Sequence, residues 1–164
     1  MAIRNAVRAM IVSDGKILLV KCRNTTSSVI DGICPGDPYY LLPGGGQNQY
    51  ETLENAVRRE CMEETGYAVS VGKMAVIHEE IYDDPSFRAR YPDYAHKLHI
   101  VFQCTVQAGS GGEPLECDRD QIGIEWVPLD EVKNLPVFPR AIHRYLVDCD
   151  LTGGLSFLGS SRVD

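Results

Sequence analysis

The chain is 164 residues long, 44% hydrophobic and 24% charged, the composition of one globular domain and too apolar for a disordered segment. A net charge of −7 excludes the cationic face that displaces counterions from a nucleic-acid polymer, and no apolar run reaches the roughly 20 residues of a membrane span. An anionic substrate stays open, on condition that arginines or a metal supply positive charge locally.

The N-terminal residues Met1 to Asn5 lack the apolar core of a signal peptide. Cysteines 22, 34, 61, 104, 117 and 149 show no C-x-x-C pair, which predicts reduced thiols and a cytoplasmic chain. Asn5 to Ser13 reads as a strand, Asp14-Gly15 as a hairpin turn, and Lys16 to Cys22 as its partner. A long loop from Asn24 to Pro38 follows, of a length that in compact domains is usually functional. Tyr39 to Leu42 is a short strand running into Pro43-Gly44-Gly45-Gly46.

From Thr52 to Thr65 the period becomes helical, with Thr52 as N-cap and Gly66 as left-handed C-terminal cap. Further strands are expected near Ala68 to Ile81, Lys97 to Val106 and Ile122 to Val127, with an aromatic and charged loop at Tyr82 to Tyr94. Phe138 to Cys149 reads as the last helix, with Ala141, Ile142, Tyr145 and Leu146 on one face. The pattern predicts one mixed α/β domain over residues 1–150, and a tail, 151–164, packed on it as an edge segment.

The helix after the glycine run carries the chemistry. At about 100° per residue, Leu53, Ala56, Val57 and Cys61 form an apolar stripe, and Glu60 and Glu64 fall within roughly 20° of Leu53. Glu63 lies at the edge of that stripe. The helix alone leaves two readings open: its last turn projects into water as a solvated acidic face, or the three glutamates converge on a hard divalent cation. Their place at the helix C-terminus, where the macrodipole disfavours negative charge, makes a compensating cation more valuable. The glycines let backbone approach a ligand or metal, with carbonyls as donors, and Arg59 stands beside Glu60 and four residues before Glu63, able to hold a carboxylate in place.

The run from Gly45 to Tyr67 resembles the Nudix box, G-x5-E-x7-R-E-U-x-E-E-x-G-U, where U is a bulky apolar residue. Gly45, Glu51, Arg59, Glu60, Glu63, Glu64 and Gly66 fill every invariant polar or glycine position, with Cys61 and Tyr67 at the U positions. Asn48 and Tyr50 depart from the Glu and Gly common inside the loop. The segment Glu125 to Val132 also looks typical of the family.

The resemblance implies an α/β/α sandwich around a mixed sheet, and hydrolysis of a nucleoside diphosphate linked to another moiety by attack of water on phosphorus. It implies that Glu60, Glu63 and Glu64, with the Gly44 carbonyl, ligate Mg²⁺ or Mn²⁺, that Glu51 supports the metal–water network, and that Arg59 orients the glutamates. It assigns the general base to a box glutamate or to a later loop acid, Glu116, Asp118 or Asp120, of which Asp120 is the choice. Gly45, Gly46, Arg23 and Tyr82 are the residues expected to meet substrate, and Arg88 and Arg90 lie in the same aromatic loop. His96 and His99, an odd number of residues apart on a strand, face opposite ways and are not a ligand pair. A nucleotide-sized substrate and a homodimer are the expected partners. The competing reading is a non-catalytic Nudix module that binds a nucleotide, against which the retained carboxylates argue.

Overall fold

The computed structural model describes residues 3–25, 32–116 and 120–163. Its strands are β1 (Arg4–Ser13), β2 (Lys16–Arg23), β3 (Pro38–Leu41), β4 (Val69–Tyr82), β5 (His96–Val106), β6 (Gln121–Pro128), β7 (Val137–Phe138) and β8 (Ser156–Val163). Three α-helices are α1 (Leu53–Thr65), α2 (Pro85–Arg90) and α3 (Arg140–Asp148), and a 3-10 turn covers Leu129–Asn134.

Asp14 and Gly15 both take positive φ, 49° and 72°, the geometry that suits the twist of a two-residue hairpin. The β1–β2 pairing is short, confined to Val12↔Ile17 and Ser13↔Lys16. β2 then pairs with β6 along one edge, while its other edge passes from β1 to β3 at Val20–Arg23. β1 leaves to run parallel to β5 from Arg4↔Lys97 to Ile11↔Cys104. β4 lies antiparallel to β5, and β8 is added parallel to β4 at the sheet edge. The curled, mixed sheet therefore has order β7-β3-β2-β1-β5-β4-β8, with β6 on β2.

Because β1 and β3 diverge, the segment after β3 fills the gap between them. Val7 N–H donates to Gly45 O at 2.9 Å, Ala9 N–H to Pro43 O at 2.8 Å, and Gln47 N–H to Asn5 O at 3.1 Å. The glycine run is thus laced to β1 through its backbone.

Two apolar clusters lie on opposite faces of the sheet. On one, Ala56, Val57 and Cys61 of α1 pack on Val7, Ala9, Ile11, Leu18, Ile100 and Phe102. On the other, Ile142, Tyr145 and Leu146 of α3 pack on Met10, Ile17, Leu19, Val76 and Val101. This is the expected three-layered α/β/α arrangement. Cys22, Cys61 and Cys104 are buried and Cys34 and Cys149 exposed, while Cys117 lies outside the described residues. Among the described residues, no helix is long and apolar enough to cross a membrane.

Two local differences from the sequence reading have simple causes. The aromatic loop contains α2, started by Asp84, whose carboxylate accepts from Ser86 N–H at 2.8 Å, and by Pro85 in the first turn. α3 begins at Arg140 instead of Phe138, because Pro139 serves as its N-cap and Val137–Phe138 is taken up as β7. The tail, read from the sequence as an edge segment, forms β8 at the sheet edge, hydrogen-bonded to β4.

Candidate active site

α1 is defined at both ends by its caps. Thr52 Oγ1 accepts from Asn55 N–H at 3.2 Å, and Gly66, at φ 70°, donates its N–H to Met62 O at 3.0 Å. The loop before β6 serves the last-turn carbonyls: Leu115 and Glu116 N–H both reach Glu63 O at 2.9 Å, and Gln121 Nε2 reaches Glu64 O at 2.7 Å. Those bonds bring the start of β6, and with it Asp120, beside the acidic end of the helix.

Arg59 is the hub of the carboxylates. Its Nε and Nη2 hold both oxygens of Glu51 at 2.9 Å, and Nη1 donates to Glu60 at 2.8 Å and to Glu63 at 3.0 Å. Nη2 also donates to Gly46 O at 3.0 Å, fastening the helix to the glycine run. Glu51 takes a further bond from Asn48 N–H at 3.0 Å. Glu64 is buried, and its carboxylate accepts from Gly44 N–H at 2.7 Å.

The shared arginine does not treat its partners alike. Its hydrogen bonds hold the Glu51 carboxyl below the ordinary carboxylate range, whereas burial drives Glu60 above it despite the same guanidinium. The bidentate bond with Glu51 raises Arg59 above its usual value.

Gly45 leaves room for this arrangement: a Cβ there would stand 2.6 Å from the Glu60 carboxyl carbon. Gly44, at φ 137°, has Arg8 Cα where a Cβ would come, at 2.9 Å. Its carbonyl and that of Leu42 accept from Arg8 Nη1. Arg8 was not singled out in the sequence, where its only signal is a guanidinium inside an otherwise apolar strand.

The donors fit a hard divalent cation. Glu51, Glu60 and Glu63 gather on Arg59, Glu64 on the Gly44 amide and Arg8 on the Gly44 carbonyl, so four carboxylates stand against two guanidiniums and negative charge exceeds positive. Among the described residues no three acidic, histidine or cysteine side chains stand at ligand spacing, since Glu60 and Glu63 meet on Arg59 Nη1.

A cavity of about 260 Å³ opens beside the helix, lined by Val20, Cys22, Tyr39, Leu41, Glu64, Tyr94 and Asp120. Asp120 borders it together with Glu64 and accepts a hydrogen bond from Thr25 Oγ1. Glu116 is exposed, and Asp118 lies outside the described residues. Arg23 is exposed at the end of β2, its N–H on Asp120 O at 2.8 Å. Tyr82 is stacked on Phe87 with centroids 4.2 Å apart and has Lys97 Nζ 5.1 Å above its ring; Tyr94 is the loop tyrosine that lines the cavity. His96 pairs with Glu79 at 2.8 Å and the buried His99 with Glu80 at 3.3 Å, so the two histidines do face apart.

Known proteins share this arrangement of elements. The chain is 34% identical over 130 residues to an ADP-ribose pyrophosphatase of Methanocaldococcus jannaschii, across 79% of this chain and 64% of that protein's length. It is 27% identical over 135 residues to the nucleoside triphosphatase NudI of Klebsiella pneumoniae, covering 80% of this chain and 86% of that one. Among solved structures, a NUDIX hydrolase from Nitrosomonas europaea superposes with a TM-score of 0.67 at 17% identity, covering 99% of this chain and 81% of that one. The NUDIX domain model matches residues 2–147, and the chain accordingly belongs to the NUDIX family.

Proposed function

We propose that this chain is a divalent-metal-dependent pyrophosphohydrolase that cleaves a nucleoside diphosphate joined to another moiety: an ADP-ribose-like compound, a nucleotide sugar or a nucleoside triphosphate. The observation that carries the reading is the gathering of Glu51, Glu60 and Glu63 on one arginine, with Glu64 on the Gly44 amide and lining a cavity of about 260 Å³. The activities named for the two curated relatives support it.

In this reading Glu60, Glu63, Glu64 and the Gly44 carbonyl hold Mg²⁺ or Mn²⁺. The bound ion supplies Lewis-acid charge for the diphosphate and lowers the pKa of water near it. Arg59 fixes the Glu60 and Glu63 carboxylates so that little side-chain reorganisation is left for the reaction. Glu51, kept ionised by its bidentate bond, holds Arg59 in turn. Asp120 is the base: its carboxylate borders the cavity and takes the proton of the attacking water.

The test is a hydrolysis panel of ADP-ribose, diadenosine polyphosphates, nucleotide sugars and nucleoside triphosphates, run with and without Mg²⁺ or Mn²⁺. Glu64→Gln is expected to fold and to lose more than the ~10–100-fold that even an outer-shell partner of a metal site carries. Turnover without metal, or near-native turnover in Glu64→Gln, overturns the assignment. Nucleotide binding with no turnover across the panel replaces the hydrolase by a nucleotide-binding module.

A further inference from the structure

Arg4 and Tyr94 form a pair that the mechanism above leaves unused. Arg4 opens β1, and its guanidinium carbon lies 4.7 Å from the centroid of the Tyr94 ring. On its other side it presses on the glycine run, where a Cβ on Gly46 would stand 2.5 Å from Arg4 Cζ. Gly46 is the residue whose carbonyl Arg59 holds, and Gly45, its neighbour, faces the Glu60 carboxylate. Arg4 therefore brings a positive charge to the rim of the acidic cluster. The nearby carboxylates are taken by Arg59, and Arg4 has an aromatic ring as its partner instead.

Tyr94 is half exposed, at 49%, although it borders the cavity that also holds Glu64 and Asp120. The remaining lining, Val20, Cys22, Tyr39 and Leu41, is uncharged. A phosphate is repelled by the two carboxylates of that lining, whereas a flat, neutral ring system meets an apolar wall and an open tyrosine. One cation and one open aromatic ring, in van der Waals contact, match the phosphate and the base of a single nucleotide unit.

We propose that Arg4 and Tyr94 together form the subsite for the nucleoside monophosphate end of the substrate, the ring stacking on the base and the guanidinium binding the phosphate beside it. The proposal rests on the pyrophosphohydrolase reading for its substrate but not for its geometry. Stacking tolerates any base, so affinity follows ring area more than hydrogen-bonding pattern.

Equilibrium binding of AMP, adenosine and ribose 5-phosphate, measured calorimetrically in Mg²⁺ buffer, separates the two halves. Tyr94→Ala should weaken AMP and adenosine by roughly tenfold, within the range of a lost base–aromatic stack, and leave ribose 5-phosphate unchanged. Arg4→Met should weaken AMP and ribose 5-phosphate and leave adenosine unchanged, and Tyr94→Phe should restore AMP binding. With the best substrate of the panel, both disabling variants should raise KM at nearly constant kcat. A loss shared equally by all three probes, or no loss for any of them, overturns the subsite and makes the pair a brace between β1 and the aromatic loop. If the wild type hydrolyses nothing but the fragment pattern holds, the hydrolase reading fails and the subsite stands.

Discussion

A methyl group at Gly45 would collide with the end of the Glu60 side chain, which can yield only by leaving Arg59, and not with backbone. Gly45→Ala should therefore cost little stability while driving the Glu60 carboxylate off Arg59. The expected result is an unfolding midpoint near the wild-type value together with at least a tenfold fall in kcat/KM, since a displacement of about 1 Å at a reacting centre costs on that order or more. An equal loss of both properties would place the importance of Gly45 in the backbone. The box residues were legible because their partners lie within one loop and one helix: Glu51, Glu60 and Glu63 each stand within eight positions of Arg59. Arg8 was not, because it acts on the carbonyls of Leu42 and Gly44, more than thirty positions away, and backbone acceptors leave no trace in residue type. Tyr94 was visible only as one aromatic among several in its loop. What distinguishes it from Tyr82 is Arg4, brought from the other end of the chain.

Among the elements, α1 followed most directly from local rules, since Thr52 and Gly66 sit where caps belong and the structure uses both. Gly66 has a second reason to be glycine: a Cβ would stand 2.6 Å from the Glu113 carbonyl carbon, in the loop that supports the helix end. Gly66→Ala combines a left-handed backbone with a collision against main chain. It is expected to lower stability by more than ~1–2 kcal/mol, the cost of the backbone conformation alone, read as a lower urea midpoint. The short helix α2 escaped because six residues give too little periodicity, although Asp84-Pro85 is a recognisable start. β7 escaped for a similar reason: two residues form a strand only where a neighbour, here Tyr40 and Leu41 of β3, is already in position. Pairing order was never written in the pattern. An alternating segment shows which face is apolar, but not that β1 meets β2 over only two residue pairs while its other edge takes β5.

Across the whole molecule, a buried polar group on β4 and β5 sets the acid limit. Burial depresses the His99 imidazole to about 4 from an ordinary 6.5. Burial alone would raise Glu80, but the hydrogen bond from His99 and the charge of Lys97, 2.7 Å away, outweigh it and hold the carboxyl at about 2. Neutral His99 then donates through Nε2 to Glu80, leaving its Nδ1 buried without a hydrogen-bond partner among the described residues. Both folded values lie below the unfolded ones, so the unfolded chain takes up more protons as pH falls. Stability from His99 is lost between about pH 6.5 and 4, and that from Glu80 between about 4.5 and 2. Glu60, raised by burial, opposes the trend within the carboxylate range. Urea midpoints should accordingly drop from pH 7 to pH 4. Glu80→Gln should be less stable than wild type at pH 7 by on the order of 2–3 kcal/mol, with the gap closing in acid. A constant gap at every pH would remove Glu80 as the titrating group.

The lacing of the glycine run to β1 also orders events while the chain is being made. Synthesis proceeds at roughly 5–20 residues per second. Asn5, Val7 and Ala9 can take Pro43, Gly45 and Gln47 as partners as soon as those residues emerge, well before Lys97 to Cys104 exist to pair with the other edge of β1. A nascent chain at that stage carries the glycine run on a strand whose second edge is bare. Bare edges recruit other chains. The price of seating the glycine run first is an interval in which this N-terminal half needs shielding, and that interval closes only when β5 arrives.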